Sequence, residues 1–104
     1  MIYITQLIYI HEKMEAVFEE FEQMAMPLIS KYNGKLLLRL RPDGSALIGG
    51  EMEKPYEIHL VEFDSQDDFD RFCQDEERKR FLHLKEQSVR TSIMIQSLPC
   101  NRLY

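Results

Sequence analysis

Twice along this chain a two-residue alternation of apolar side chains gives way, within a few positions, to helical spacing. Ile2, Ile4, Ile8 and Ile10 share one face of a pleated strand, while Tyr3, Thr5, Leu7 and Tyr9 share the other. From about Glu12 the period lengthens, and Met14, Val17, Phe18, Phe21, Ala25, Leu28, Ile29 and Tyr32 make one apolar helical stripe. Glu19, Glu20, Glu22 and Lys31 fall largely off that stripe and are expected to face water. The second change follows the run 56–63, where strand alternation yields to "DSQDDFDRFCQ". Ser65 is placed to cap a helix there, with Asp67, Asp68 and Asp70 suiting the positive end of its dipole.

Between these halves lies "KLLLRLR" (35–41), a strand with Leu36, Leu38 and Leu40 on one side and Leu37, Arg39 and Arg41 on the other. Pro27 predicts a kink or break near Met24–Met26, because it lacks a donor and crowds the preceding turn. Asn33-Gly34 supplies a left-handed helix stop. "PDGS" (42–45) is turn chemistry, and Ala46–Ile48 could extend a short β-excursion. Asp75 is expected to cap a second helical piece reaching about Ser88, supported by Asp75–Lys79 and Glu76–Arg80 pairs. "TSIMIQS" is the last strand.

The order β-α-β-β-α-β predicts a ferredoxin-like α+β sandwich, an antiparallel four-stranded sheet with its helices on one face. Residues 1–97 form the single domain and 98–104 a C-terminal tail, in which Leu103 and Tyr104 could dock on a partner or fray. If the leucines at 36, 38 and 40 meet the helices, the opposite face exposes Tyr3, Leu7, Tyr9, Leu37, Val61, Phe63 and Met94. Such a patch is too apolar for a lone monomer, so a homodimer closing sheet on sheet is expected.

The 104 residues support one core. A net charge of -5 with scattered Lys and Arg argues against a nucleic-acid partner. No run approaches the ~20 apolar residues of a membrane span. "MIYITQLIYI" lacks a basic leader and a cleavage site, so a cytoplasmic location with no membrane partner is expected. Cys73 and Cys100 have neither zinc nor disulfide-framework spacing and read as bystander thiols. The acidic run at 64–70 lacks the glycine and terminal glutamate of a calcium loop. No metal site and no cofactor are expected.

Three segments carry a resemblance: "MPLISKYNGKLLLRL" (26–40), "GGEMEKPYEIHLVEFDS" (49–65) and "DFDRFCQDEERKRFL" (68–82). Together they resemble the dimeric α/β-barrel superfamily. They are most similar to a small bacterial family of unknown function, related to the antibiotic-biosynthesis monooxygenase-like proteins. The family's paired glycine after helix one is Asn33-Gly34 here. Its acid after strand one is His11-Glu12, and its aromatic near the start of the last helical piece is Arg78.

Strand parity places Glu57, His59, Val61 and Phe63 on one face, with Arg39 a candidate cross-strand neighbour of His59. Two readings of these polar residues stand: a ligand site, or a charged cluster fixing the register of a two-fold interface. The resemblance implies a cleft that accepts a small organic molecule and cofactor-independent chemistry, oxygenase- or isomerase-like. His59 would then be the general base, Arg39 would stabilise developing oxyanion charge, and Glu57 would orient the imidazole. Tyr9, and His11 at the mouth of strand one, join Glu57 as candidate ligand contacts; His11 is equally a solvated helix-entry residue. His83 is placed like the histidine of haem-degrading superfamily members, which also use a tryptophan; this chain has none.

Overall fold

A computed structural model of the protein describes residues 1–99. The readings made for Cys100, Leu103 and Tyr104, and so most of the tail 98–104, lie outside the described residues.

Four strands, β1 (Ile2–Ile10), β2 (Gly34–Leu40), β3 (Glu57–Phe63) and β4 (Val89–Ser97), pair antiparallel in the spatial order β2-β3-β1-β4. The helices α1 (Glu15–Ala25), α2 (Gln66–Cys73), α3 (Glu76–Arg80) and α4 (Leu82–Ser88) lie on one face of this sheet. The arrangement is ferredoxin-like, with the second helical position divided into three pieces.

Parity in β1 and β3 decides what the helices cover. Ile2, Ile4 and Ile8 stand opposite Phe63, Val61 and Glu57. The first five join Ile29 in or beside the core, where Met26, Tyr32, Phe69 and Phe72 pack against them. The expectation that Val61 and Phe63 lie on the uncovered face is therefore corrected: Phe63 is 1% exposed, at the centre of the core. Met94 is corrected likewise, since it pairs with Gln6 on the helix-covered side.

The cause is a break in alternation within β2. Leu36 pairs with Val61, but Leu38 pairs with Leu60 and Arg39 with His59, so Leu37 is an extra residue in the ladder. A one-residue insertion of this kind reverses every side chain beyond it. Arg39 and Arg41 therefore turn toward the helices, while Leu38 and Leu40 join Ile58 and Leu60 on the open face. With Tyr3, Leu7, Ile93 and Ile95 these form an apolar surface that no helix covers.

Pro27 acts as expected. α1 ends at Ala25, and the chain continues through two tight turns, Met26–Leu28 and Ser30–Tyr32. Asn33 then adopts a left-handed conformation, φ 57°. Gly34 follows where a Cβ would come within 2.7 Å of both Ile29 Cγ2 and Phe63 Cε1. This close approach lets β2 start directly beneath the end of the helix. Ser65 caps α2 by accepting from the Asp68 amide at 3.1 Å, and Asp75 caps α3 by accepting from the Arg78 amide at 2.9 Å.

Three local expectations are revised. Ala46–Ile48 is not a strand; the segment is a turn in which Asp43 Oδ1 accepts from the Ser45 amide and hydroxyl. The helix expected from Asp75 to Ser88 breaks at Phe81. Asp75 pairs with Lys31 and Tyr32 rather than with Lys79, because α3 packs its first turn against the end of the helix-one region.

Candidate functional site

Glu57 is the first residue of β3, 1% exposed, and it is held by three basic side chains. Arg39 donates from Nε to Oε2 at 2.9 Å and from Nη2 to Oε1 at 3.1 Å. Arg41 Nη2 donates to Oε1 at 2.5 Å, and His59 Nε2 lies 2.5 Å from Oε2. Glu19 on α1 accepts a further bond from Arg39 at 2.8 Å, which ties β2 and β3 to the helix layer. Burial pushes the Glu57 carboxyl up, but the bonds from His59, Arg39 and Arg41 outweigh it and hold the pKa at about 2. An ionised Glu57 accepts only, so the 2.5 Å contact makes His59 Nε2 the protonated ring nitrogen. Among the described residues, Nδ1 has no hydrogen-bond partner. Phe18 lies stacked on the ring, with centroids 6.5 Å apart.

His59 also forms part of the wall of a cavity of about 220 Å³ between sheet and helices. Most of that wall is apolar: Ile4, Ile8, Val61 and Phe63 from the sheet, Phe18, Phe21 and Ala25 from α1, Phe69 and Phe72 from α2. Its polar members are few, as expected of a pocket that orients a mainly apolar ligand. Gln6, Ser92 and His59 come from the sheet, Glu22 from α1, Arg78 from α3 and Lys85 from α4.

Glu22 was expected in water and is instead 7% exposed, its carboxyl in no hydrogen bond or ion pair among the described residues. Burial pushes its carboxyl above the usual carboxylate range, against the pull of His59 and Arg39. The spacing carried the signal. Position 22 is four beyond Phe18 and three before Ala25, inside the apolar stripe rather than beside it. Burial also lowers the pKa of Lys85, and the neighbouring Arg78 charge lowers it further.

The structure separates the remaining candidates. Arg39 is the cross-strand partner of His59, as expected, yet it is absent from the cavity wall and its guanidinium is bound to Glu57 and Glu19. Tyr9 and His11 do not line the His59 cavity. They line a shallower cleft of about 240 Å³ with Glu12, Glu53, Lys54, Tyr56 and Arg90. There the Tyr9 hydroxyl donates to the Glu53 carbonyl at 2.8 Å. His83 is exposed on α4. Among the described residues, no group of three or more His, Cys, Asp and Glu side chains converges as a metal site, and no helix is long and apolar enough to cross a membrane.

No family model matches the chain, and no curated protein matches it. Solved structures do match in fold. A protein of unknown function from Rhodopseudomonas palustris superimposes with a TM-score of 0.82 at 16% identity, covering 97% of this chain and 83% of that one. A dimeric protein of unknown function with a ferredoxin-like fold, from Bacteroides fragilis, gives 0.69 at 13% identity over 92% and 93%. A DABB family protein with a ferredoxin-like fold, from Mesorhizobium loti, gives 0.67 at 16% identity over 96% and 97%. At these identities the likeness is one of fold.

Proposed function

We propose that this protein binds a small organic molecule in the cavity between sheet and helices and performs cofactor-independent acid–base chemistry on it. The observation that carries the reading is the pairing of His59, oriented by an ionised Glu57, with an unbonded, buried Glu22 in the same apolar wall. Glu57 fixes the imidazole so that Nδ1 is the basic nitrogen, able to take a proton from carbon or oxygen of the ligand. Glu22, whose pKa is raised, keeps its proton closer to neutral pH and serves as the complementary acid. Isomerisation next to a carbonyl needs these two roles, and a cofactor-independent oxygenation needs the first. Arg39 acts through Glu57 as a positioning residue, in place of the oxyanion role expected of it.

The protein works as a homodimer joined through its open sheet face. Supporting this are the apolar side chains exposed there, Leu38 at 43% and Ile95 at 50% among them, and the dimeric state of the Bacteroides neighbour. A cytoplasmic location fits the free Cys73 thiol.

A second reading is a non-catalytic dimeric binding or regulatory module, favoured by the engagement of Glu57 by three basic side chains. The cluster would then brace β2 against α1. Its place under the helices removes the reason to assign it to the sheet-face interface.

Native mass spectrometry on gently purified protein tests the proposal. The expected result is a dimer carrying a reproducible organic mass that His59→Ala and Glu22→Gln each lose. A bare protein whose cavity amides are unmoved by a panel of small aromatic acids, alcohols and ketones would refute ligand binding. Retention of the mass by both variants would refute the acid–base pair, and a stable monomer the assembly.

A further inference from the structure

The cavity wall holds two cationic side chains that the proposed acid–base pair does not use. Arg78 enters from α3, its guanidinium 5.2 Å from the Phe72 ring centroid and 5.9 Å from that of Phe21. Its single side-chain hydrogen bond among the described residues is a long one, Nη1 to the Cys73 carbonyl at 3.4 Å. Its Nε is buried with no partner at all, and it is the one side-chain nitrogen or oxygen of the described residues in that position. A buried donor left unbonded bears its full desolvation cost, so native structures rarely keep one without something to fill it.

Lys85, seven residues further on, lines the same cavity from α4, and its ammonium makes no hydrogen bond or ion pair among the described residues. Burial disfavours the Lys85 ammonium, and Arg78 is close enough for its guanidinium to disfavour it further. Glu22 is the carboxylate on this wall. It feels the Lys85 charge without forming an ion pair with it, and its raised pKa moves it toward the neutral form. Two neighbouring cations and an orphaned donor, facing a chamber otherwise walled by phenylalanine, valine and isoleucine, have the chemistry of an anion subsite at one end of an apolar pocket.

We infer that the ligand of this cavity is an organic anion, an aromatic or aliphatic carboxylate whose charged group is bound by Arg78 and Lys85 and whose apolar body lies along Val61, Phe63, Phe69 and Phe72. This rests on the cavity being the ligand site, and it deepens that reading by naming the charge of what enters. Seating the anion gives Arg78 Nε an acceptor and relieves the repulsion between the two cations. It also fixes the direction of the ligand, so that the end away from the carboxylate is the one presented to His59.

Three probes of matched shape separate the two claims: phenylacetate, phenethyl alcohol and phenethylamine, each titrated into the full chain and followed by amide chemical shifts of cavity residues. Phenylacetate is expected to bind about tenfold or more tighter than the alcohol, because a charge-assisted contact replaces a neutral one, and the amine weakest. Lys85→Met is expected to bring phenylacetate down to the level of the alcohol, leaving the alcohol unchanged, while Lys85→Arg keeps the preference. Arg78→Met should act in the same direction; Arg78 also packs on two rings, so Lys85→Met is the deciding variant. Equal binding of acid and alcohol, or a preference that survives Lys85→Met, overturns the anion subsite and leaves the cavity as a ligand site. Cavity amides that respond to none of the three count against both claims.

Discussion

Glu57→Gln removes one charge from the most enclosed ionic cluster of the fold and keeps the shape of the side chain. Its cost can be worked from the protonation equilibrium. A carboxyl with a pKa of 4.5 when exposed and about 2 when folded contributes about 3 kcal/mol at neutral pH. The amide that replaces the carboxylate retains part of the hydrogen bonding, and Arg39 keeps its bond to Glu19, so the expected loss is about 2–3 kcal/mol. For a domain of this size that lowers the melting temperature by about 10–20 °C. The pH dependence identifies the cause. A depressed carboxylate pKa stabilises the fold fully above the unfolded value of 4.5, and the contribution is lost as pH falls toward about 2. Thermal melts of the two proteins by circular dichroism should therefore differ most near pH 7, converge steadily below about pH 5, and nearly coincide at about pH 2. A difference that is absent at neutral pH, or that stays constant from there down to about pH 3, would refute the assignment of Glu57 as the ionised hub of the cluster.

Two further perturbations test other parts of the structure. Gly34→Ala places a Cβ against Ile29 Cγ2, Phe63 Cε1 and the Ile29 carbonyl, at 2.7, 2.7 and 2.8 Å. Neither backbone nor a fully packed ring gives way cheaply, so urea unfolding should show a loss of about 1–3 kcal/mol; unchanged stability would mean that the start of β2 is looser than described. Glu22→Gln should have the opposite sign. A buried carboxyl with a raised pKa costs stability above its unfolded pKa, so the variant is expected to be more stable than the parent at neutral pH, with the gain vanishing in acid. Urea midpoints at about pH 7 and about pH 4 check this.

The order of strands and helices was legible because apolar periodicity dictates it, and Pro27, Asn33, Ser65 and Asp75 act where their chemistry indicates. Parity also put Glu57, His59, Val61 and Phe63 together, and paired Arg39 with His59. The side of the sheet they occupy was not legible. It depends on the bulge at Leu37, and in a run of three leucines no glycine or proline marks the extra residue. Glu22 was legible from its spacing to Phe18 and Ala25, against the expectation that it falls off the stripe. Tyr9 and His11, expected beside Glu57 as ligand contacts, line a separate cleft with the segment carrying Glu53 and Tyr56. Arg78 and Lys85 are seven residues apart, a spacing that puts both on one helical face, but the break between α3 and α4 at Phe81 is announced by no local composition.

The bulge at Leu37 makes register, more than residue identity, the sensitive variable of β2. Deleting Leu37 would close the ladder and leave Leu38, Arg39 and Leu40 opposite Leu60, His59 and Ile58, where they already stand. A slip that keeps every residue but draws Leu37 into the ladder opposite Leu60 does the reverse: Leu38 and Leu40 swing beneath the helices, while Arg39 and Arg41 emerge on the open surface. Glu57 would lose both guanidinium partners in one step, and the apolar surface would acquire two positive charges. One spare residue thus holds the interior and the outer sheet surface in phase, and the strand tolerates its loss better than its incorporation.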